Sequence, residues 1–137
     1  MPDLALMSKA IDFIEDNLLE AIIVADMADA VSYSLYHFCR TFNQTTHHTP
    51  YDYLMRRRLS ESAHALLQTD RKIIDIGLDY QFNSPETFSR AFKRMFGMQP
   101  TQLRKQATID PRWRMPRLTE AHIRHISQGP YLKPALV

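Results

Sequence analysis

The sequence predicts an all-α protein of about seven helices, and three observations lead to that prediction. The 137-residue chain has only three glycines, and apolar residues rarely alternate with polar ones as they do in a half-buried strand. Apolar residues instead recur three and four positions apart, which is the spacing of one helix face. The chain also repeats itself at an offset of fifty residues, without a gap.

Seven identical pairs define the repeat over residues 23–50. They are Ile23/Ile73, Asp29/Asp79, Ser34/Ser84, Phe38/Phe88, Arg40/Arg90, Phe42/Phe92 and Pro50/Pro100. The phenylalanines lie four residues apart on a helix face that should turn inward, and the serine precedes that helix as a cap. The arginine lies off this face and should point outward. Two equivalent units in one chain indicate a protein that binds a periodic ligand at two points, and DNA is the obvious periodic polyanion.

The first copy is preceded by one helix and contains two more. The expected elements are a helix from Asp3 to about Glu20, a short helix over residues 23–30, a tight turn over 31–33, a helix from Ser34 to about Asn43, and a loop over 44–49. The loop is expected because residues 44–49 are polar and β-branched. A long helix should then begin at Pro50, which suits a first helical turn, and end near Gln68.

The second copy has the stronger helix signals. The expected elements are a short helix over residues 72–80, a turn over 81–83, a helix over 84–96 and a last short helix over 100–105. Ser84 supplies a cap, Pro85 a first helical position and Gly97 a left-handed stop.

The remaining segment, residues 107–137, holds four prolines and no long apolar period. We interpret it as a tail or linker with one short helix near 118–126, and we expect Trp113 to anchor it.

A short helix, a tight turn and a serine-capped helix with outward polar residues form a helix-turn-helix pattern. Because the pattern occurs twice in register, it is much stronger than a single instance. The predicted organisation is two homeodomain-like helix-turn-helix subdomains joined by a long central helix. Its parts are a first subdomain over residues 3–50, a linker helix over 51–69, a second subdomain over 70–106 and a tail over 107–137.

The modest net charge of +2 conceals an asymmetry that fits a nucleic-acid partner. Residues 1–35 carry a net charge of −6, whereas residues 36–137 carry +8. The bases cluster at Arg56-Arg57-Arg58, Arg71-Lys72, Arg90, Lys93-Arg94 and Arg104-Lys105. Clustered bases on a nearly neutral chain favour a nucleic-acid surface, although a merely solvated helical surface gives the same pattern.

The stretch from Asp75 to Gly97, followed by Pro100, closely resembles the signature of the AraC-type transcriptional regulators. The first copy resembles that family's first motif more loosely, through Ser34, Phe38, Arg40, Phe42, Pro50 and Tyr53. The resemblance covers about residues 4–106. It implies a sequence-specific DNA-binding regulator, an activator of transcription, whose two recognition helices occupy successive major grooves on one face of bent DNA.

The resemblance also implies which residues meet DNA. The base-reading positions fall on Tyr36, Cys39, Arg40, Pro85, Glu86, Ser89 and Arg90. Candidate phosphate contacts are Ser34, Arg57, Arg71, Lys72, Ser84, Thr87, Lys93 and Arg94. Arg40 and Arg90 are the best candidates for bidentate contact to guanine, with a structural salt bridge as the alternative. Of the three arginines at 56–58, which point to different sides of one helical turn, one or two are expected to reach DNA.

Three positions depart from the family pattern. Ser32 and Gln81 stand where the family usually has a turn glycine, and His47 replaces the glycine that Gly97 retains in the second copy. A non-glycine residue costs about 1 kcal/mol wherever the backbone adopts positive φ. The sequence preference of the first copy is therefore the less secure of the two.

No cofactor, metal or catalytic chemistry is expected. The sequence has no glycine-rich phosphate loop, nucleophile elbow or paired carboxylates in a recognisable site. The histidines at 47, 48, 122 and 125 are interpreted as surface residues, since no Cys or carboxylate cluster accompanies them. Cys39 is the single cysteine, which excludes an intrachain disulfide and favours a reducing cytoplasm.

The expected partner is double-stranded DNA, bound by a monomer in the bacterial cytoplasm and nucleoid, with no membrane association. RNA polymerase is a second candidate partner. An alternative function is a protein-interaction module in which the acidic first segment contacts the transcription machinery and DNA binding is only non-specific. A sensor domain, common in the family, does not fit in 137 residues.

Overall fold

The computed structural model describes residues 2–127, and all regular secondary structure in that range is helical, which confirms the all-α prediction. The helices are α1 (Pro2–Asp16), α2 (Val24–Ala30), α3 (Leu35–Thr46), α4 (Pro50–Gln68), α5 (Ile73–Asp79), α6 (Pro85–Phe96), α7 (Pro100–Gln106) and α8 (Glu120–Ser127). A short 3₁₀ turn spans Pro111–Trp113. Among these residues no helix is both long and apolar enough to cross a membrane.

The described chain divides into two compact units. The first unit contains residues 2–55 and 117–127, and the second contains residues 56–116. The sequence of α4 spans the division, so its first six residues belong to the first unit and the rest to the second.

The first unit is built from α1, α2, α3 and α8, which pack against one another around α3. Phe38 and Phe42 are fully buried on the inner face of α3, with ring centroids 5.6 Å apart. Tyr53, from the first turn of α4, lies 5.9 Å from Phe42 and is also fully buried. The phenylalanine face that the repeat predicted is therefore the core of this unit.

The second unit packs α5 against α6 and α6 against α7. Phe88 and Phe92 repeat the arrangement of the first unit, with ring centroids 5.6 Å apart, and Phe96 extends the row at 4.6 Å. Gly77 permits this packing, because a Cβ added there would lie 2.8 Å from Cδ2 of Phe88. Helices α5 and α6 can approach this closely only with glycine at residue 77.

Two predicted helix ends were wrong. Helix α3 continues to Thr46 instead of ending near Asn43, and Thr45 and Thr46 are buried rather than in a loop. The Thr46 hydroxyl donates to the Phe42 carbonyl at 2.8 Å, so its polarity is satisfied inside the helix. Helix α1 ends at Asp16 rather than near Glu20.

Residues 107–127, interpreted from the sequence as part of a tail or linker, pack onto both units in turn. Met115 is buried in the second unit, while Trp113 remains 39% exposed. The residue that anchors this segment is therefore Met115 and not Trp113, which was expected to do so. In the first unit the backbone N–H of Leu118 donates to the Tyr53 hydroxyl at 3.1 Å. The predicted short helix is α8, and the rest of the predicted tail, residues 128–137, lies outside the described residues.

Candidate nucleic-acid interface

Both helix-turn-helix turns use a non-glycine residue in the left-handed conformation. Ser32 has a φ of 59° and Gln81 a φ of 71°. The turns close in the same way, since Tyr33 N–H donates to Ala28 O at 3.0 Å and Phe82 N–H donates to Gly77 O at 3.0 Å. Both residues therefore adopt positive φ, and each lowers the stability of the fold by about 1 kcal/mol relative to glycine.

A serine hydroxyl begins each candidate recognition helix. Ser34 Oγ accepts from His37 N–H at 3.2 Å, and Ser84 Oγ accepts from Thr87 N–H at 3.1 Å. The two hydroxyls of Ser84 and Thr87 also lie 2.9 Å apart. Ser34 and Ser84, which were predicted to contact phosphates, thus cap their helices. Any contact of these hydroxyls with a phosphate would be made in addition to the cap.

Replacing Ser84 with alanine should lower the free energy of unfolding by about 1 kcal/mol, because the first turn of α6 loses its cap. Ser84→Asp keeps an acceptor at the cap and adds negative charge, so stability should be retained while DNA binding weakens. Urea unfolding and a DNA-binding titration on both variants provide the measurement. Full DNA affinity in Ser84→Asp would remove Ser84 from the phosphate contacts.

On α3 the predicted base-reading residues face outward. Tyr36 is 74% exposed, Arg40 is exposed and Cys39 is half-buried. Within residues 2–127 the Arg40 guanidinium takes part in no ion pair, and the same holds for Arg90 in the second unit. The salt-bridge alternative for these two arginines thus finds no support in the described part of the chain.

On α6 the structure brings base-reading and phosphate candidates together. One concave surface of about 550 Å³ is lined by Glu86, Ser89, Arg90, Lys93, Arg94, Gly97 and Gln99. Pro85 is exposed at the first position of the helix, beside Glu86. Three cations and one carboxylate on this surface give it a net positive charge, which suits a polyanion.

Arg71 and Lys72 lie just before α5, and both are exposed. The Arg71 guanidinium pairs with the Asp79 carboxylate, and this hydrogen-bonded contact raises the pKa of Arg71 above its ordinary value. Lys72 occupies the cap position of α5. To contact a DNA phosphate, the Arg71 guanidinium would have to bind the phosphate and Asp79 together, or break its ion pair with Asp79.

The expectation for Arg57 was wrong. Arg56, Arg57 and Arg58 are only 2%, 6% and 6% exposed, so none is a solvated side chain available to phosphate. Arg57 Nη1 donates to the Met115 carbonyl at 2.6 Å, and Nη2 lies 3.8 Å from Glu61 Oε1. The Met115 carbonyl is 58 positions away in the sequence, and charge patterning on α4 alone could not reveal it as the partner.

Of the two adjacent histidines expected at the surface, His47 is exposed as expected and His48 is not. His48 is fully buried, with Nδ1 3.1 Å from Asp52 Oδ2. Exposed His47 places its ring against α8, with Nε2 2.8 Å from the Ile126 carbonyl oxygen. Among the residues that the structure describes, no group of three His, Cys, Asp or Glu side chains could hold a metal ion.

Sequence reasoning missed a stack at the start of α3. The rings of Tyr33 and His37 lie parallel with centroids 4.1 Å apart, and the Tyr33 hydroxyl donates to Asp3. This hydrogen bond to a carboxylate raises the pKa of Tyr33. Tyr33 lies before the cap of α3, so the spacing rule for residues on one helix face does not predict this stack.

Comparison with known proteins agrees with this architecture. A family model described as a helix-turn-helix domain matches residues 27–106, more than half of the chain. A crystal structure of a transcriptional regulator with an AraC-type DNA-binding domain, from Chromobacterium violaceum, superposes with a TM-score of 0.73 at 28% identity. That superposition covers 78% of this chain and 96% of the other.

Sequence relatives point the same way. The chain is 44% identical over 94 residues to the regulator YbfP of Bacillus subtilis, covering 69% of this chain and 32% of the relative. It is 39% identical over 101 residues to the right origin-binding protein of Escherichia coli K12, covering 74% and 34% respectively. The chain thus spans about a third of the length of these relatives. A relative of more similar length is the transcriptional activator AarP of Providencia stuartii, 33% identical over 104 residues, covering 76% of this chain and 77% of AarP.

The fold and its paired motifs define a protein of the helix-turn-helix class. More narrowly, the chain belongs to the AraC-type family of transcriptional regulators, as the signature between Asp75 and Gly97 indicated.

Proposed function

We propose that this protein is a sequence-specific activator of transcription that inserts α3 and α6 into successive major grooves of double-stranded DNA. One observation carries the proposal. In each unit a serine-capped helix buries two phenylalanines and exposes, on its other side, an arginine that makes no ion pair within the described residues. Two such surfaces in one chain would suit two successive major grooves of the double helix.

The base contacts in this proposal come from the outward side of each helix. Arg40 with Tyr36 and Cys39 reads one half of the site, and Arg90 with Pro85, Glu86 and Ser89 reads the other. Arginine makes bidentate bonds to guanine, and Glu86 accepts from a cytosine amino group or stabilises the start of α6.

The phosphate contacts come from exposed residues at the edges of these surfaces. Lys93 and Arg94 lie beside the base-reading residues of α6, while Arg71, Lys72 and Thr87 lie near helix starts. Ser34 and Ser84 contribute in addition to their caps, and Arg57 is excluded by burial. Such contacts fix register and affinity but carry little sequence information.

The activator assignment and the oligomeric state rest on further observations. AarP, which resembles this chain over most of its length, is a transcriptional activator. Because each chain carries both motifs, a monomer supplies two half-site contacts without a partner copy. The acidic segment over residues 1–35 has the same sign of charge as DNA, which disfavours its contact with the duplex, and it is our candidate contact for RNA polymerase in the bacterial cytoplasm.

Binding-site selection from random double-stranded DNA tests the proposal, with a salt titration on the selected site. We expect a consensus of two parts separated by about one helical turn, and an affinity that falls steeply with salt. Selection of no consensus, with binding that depends on salt alone, would instead favour the protein-interaction module with non-specific DNA binding.

Lys93→Ala is expected to weaken binding to every DNA sequence by a similar factor. The ammonium group is exposed on the α6 surface, where its charge can reach a phosphate. The slope of log affinity against log salt should fall by about 0.9, the value for one phosphate contact. A change of preference at one base pair would show instead that Lys93 reads a base.

A further inference from the structure

The two copies of the repeat differ in the residue that ends the recognition helix, which is His47 in the first copy and Gly97 in the second. Helix α3 ends at His47 with a φ of 62°, and α6 ends fifty residues later at Gly97 with a φ of 73°. Glycine adopts this left-handed conformation freely, whereas a residue with a side chain does so only at a cost. A histidine at this position therefore carries a cost that an interaction of its side chain can offset.

The imidazole of His47 makes such an interaction with α8. Its Nε2 lies 2.8 Å from the Ile126 carbonyl oxygen, which can only accept, so Nε2 carries the hydrogen. The contact joins two residues 79 positions apart in the sequence. The second copy has no counterpart, since a Cβ built at Gly97 meets no atom within 4 Å.

Helix α8 is a structural part of the first unit although it lies beyond residue 106, where the match to the family model ends. It packs against α3 and α1, and Leu118, Ile123 and Ile126 are 2%, 0% and 3% exposed. An ion pair between Arg117 and Asp12 attaches the segment before α8 to α1. Helix α8, which lies outside the helix-turn-helix motif, therefore packs against α3 and restrains it.

The packing of α8 leaves the outward side of α3 open. Tyr36 is 74% exposed and Arg40 is exposed while α8 is in place. An inhibitory helix would cover these residues. The arrangement is instead that of a brace, which restrains one end of a recognition helix and leaves its reading side available to DNA.

We infer that His47 is a positioning residue for the first recognition helix, and that it acts by fixing the end of α3 to α8. The inference rests on the proposed function, because α3 must read DNA for its orientation to matter. It assigns α8 a role in sequence recognition by the first unit, whereas α6 in the second unit ends at Gly97, which has no side chain to make such a contact.

The test uses the full chain in four forms: wild type, His47→Gly, His47→Gln and His125→Ala. Glycine removes the hydrogen bond and relieves the backbone, glutamine keeps a donor, and His125 is an exposed histidine on α8 that serves as the control. Hydrogen exchange over residues 120–127 reports how firmly α8 is held. Binding to the sequence selected by wild type, and to versions altered in either half, reports recognition.

We expect His47→Gly to speed exchange in α8 and to weaken binding by roughly five- to tenfold, the loss expected for one hydrogen bond. Discrimination should fall only in the half of the site read by α3. His47→Gln should recover most of both properties, and His125→Ala should match wild type.

Two different failures can be told apart. If wild type selects a consensus and His47→Gly matches it in exchange and in discrimination, His47 is only a helix stop and the inference is overturned alone. If wild type selects no consensus, the proposed function is overturned and the inference with it, whatever the exchange data show.

Discussion

Replacing Arg57 with alanine should destabilise the second unit by about 2–4 kcal/mol and leave the salt dependence of DNA binding unchanged. Arg57 is 6% exposed and donates to the buried backbone of Met115 at 2.6 Å. Alanine leaves the Met115 carbonyl without this donor and removes the aliphatic stem that fills the space around it. Urea unfolding followed by circular dichroism gives the stability, and a salt titration of binding to one DNA site gives the slope.

Two matched variants separate the contributions to this effect. Arg57→Met keeps most of the stem but loses the hydrogen bonds and the ion pair with Glu61, so about 1–3 kcal/mol of the loss should remain. Arg94→Ala removes an exposed cation from the α6 surface, so stability should stay within about 0.5 kcal/mol while the salt slope falls by about 0.9. If Arg57→Ala behaves like Arg94→Ala, Arg57 contacts phosphate and the structural role assigned to it is wrong.

The contrast between these arginines shows what the sequence could and could not predict. Local signals sufficed wherever a residue's conformation depends on its neighbours in the chain. Ser84, Pro85 and Gly97 predicted the start and the end of α6, and Pro50 predicted the start of α4. The fifty-residue repeat predicted the buried phenylalanines, because two copies of one pattern outweigh the ambiguity of a single copy.

Long-range partners account for the predictions that failed. Arg57 looks like a surface cation until the backbone of Met115, 58 residues away, accepts its hydrogen bond. His48 is buried, although its sequence context of polar and β-branched residues resembles a loop. Thr45 and Thr46 extend α3 because tertiary burial overrides a low helix propensity. Neither spacing nor composition carries information on such contacts.

Arg90→Ala should reduce discrimination at one base pair of the selected site by about 1–3 kcal/mol, which is roughly 5- to 150-fold in relative affinity. The guanidinium is exposed on α6 beside Glu86 and Ser89, and no ion pair holds it within residues 2–127. A bidentate contact is lost entirely on truncation, whereas a contact to phosphate would be lost equally on every sequence. Competition binding against a panel of single-base variants of the site measures the difference.

Arg40→Ala is the matched variant in the first copy, and the pair tests the repeat itself. Each substitution should relax a single position, and the two positions should lie about one helical turn, roughly 10 base pairs, apart. A weaker effect for Arg40 is consistent with the departures at Ser32 and His47 in the first copy. Uniform losses for both arginines would reassign them to the backbone, and relaxation at one shared position would contradict two recognition helices reading separate grooves.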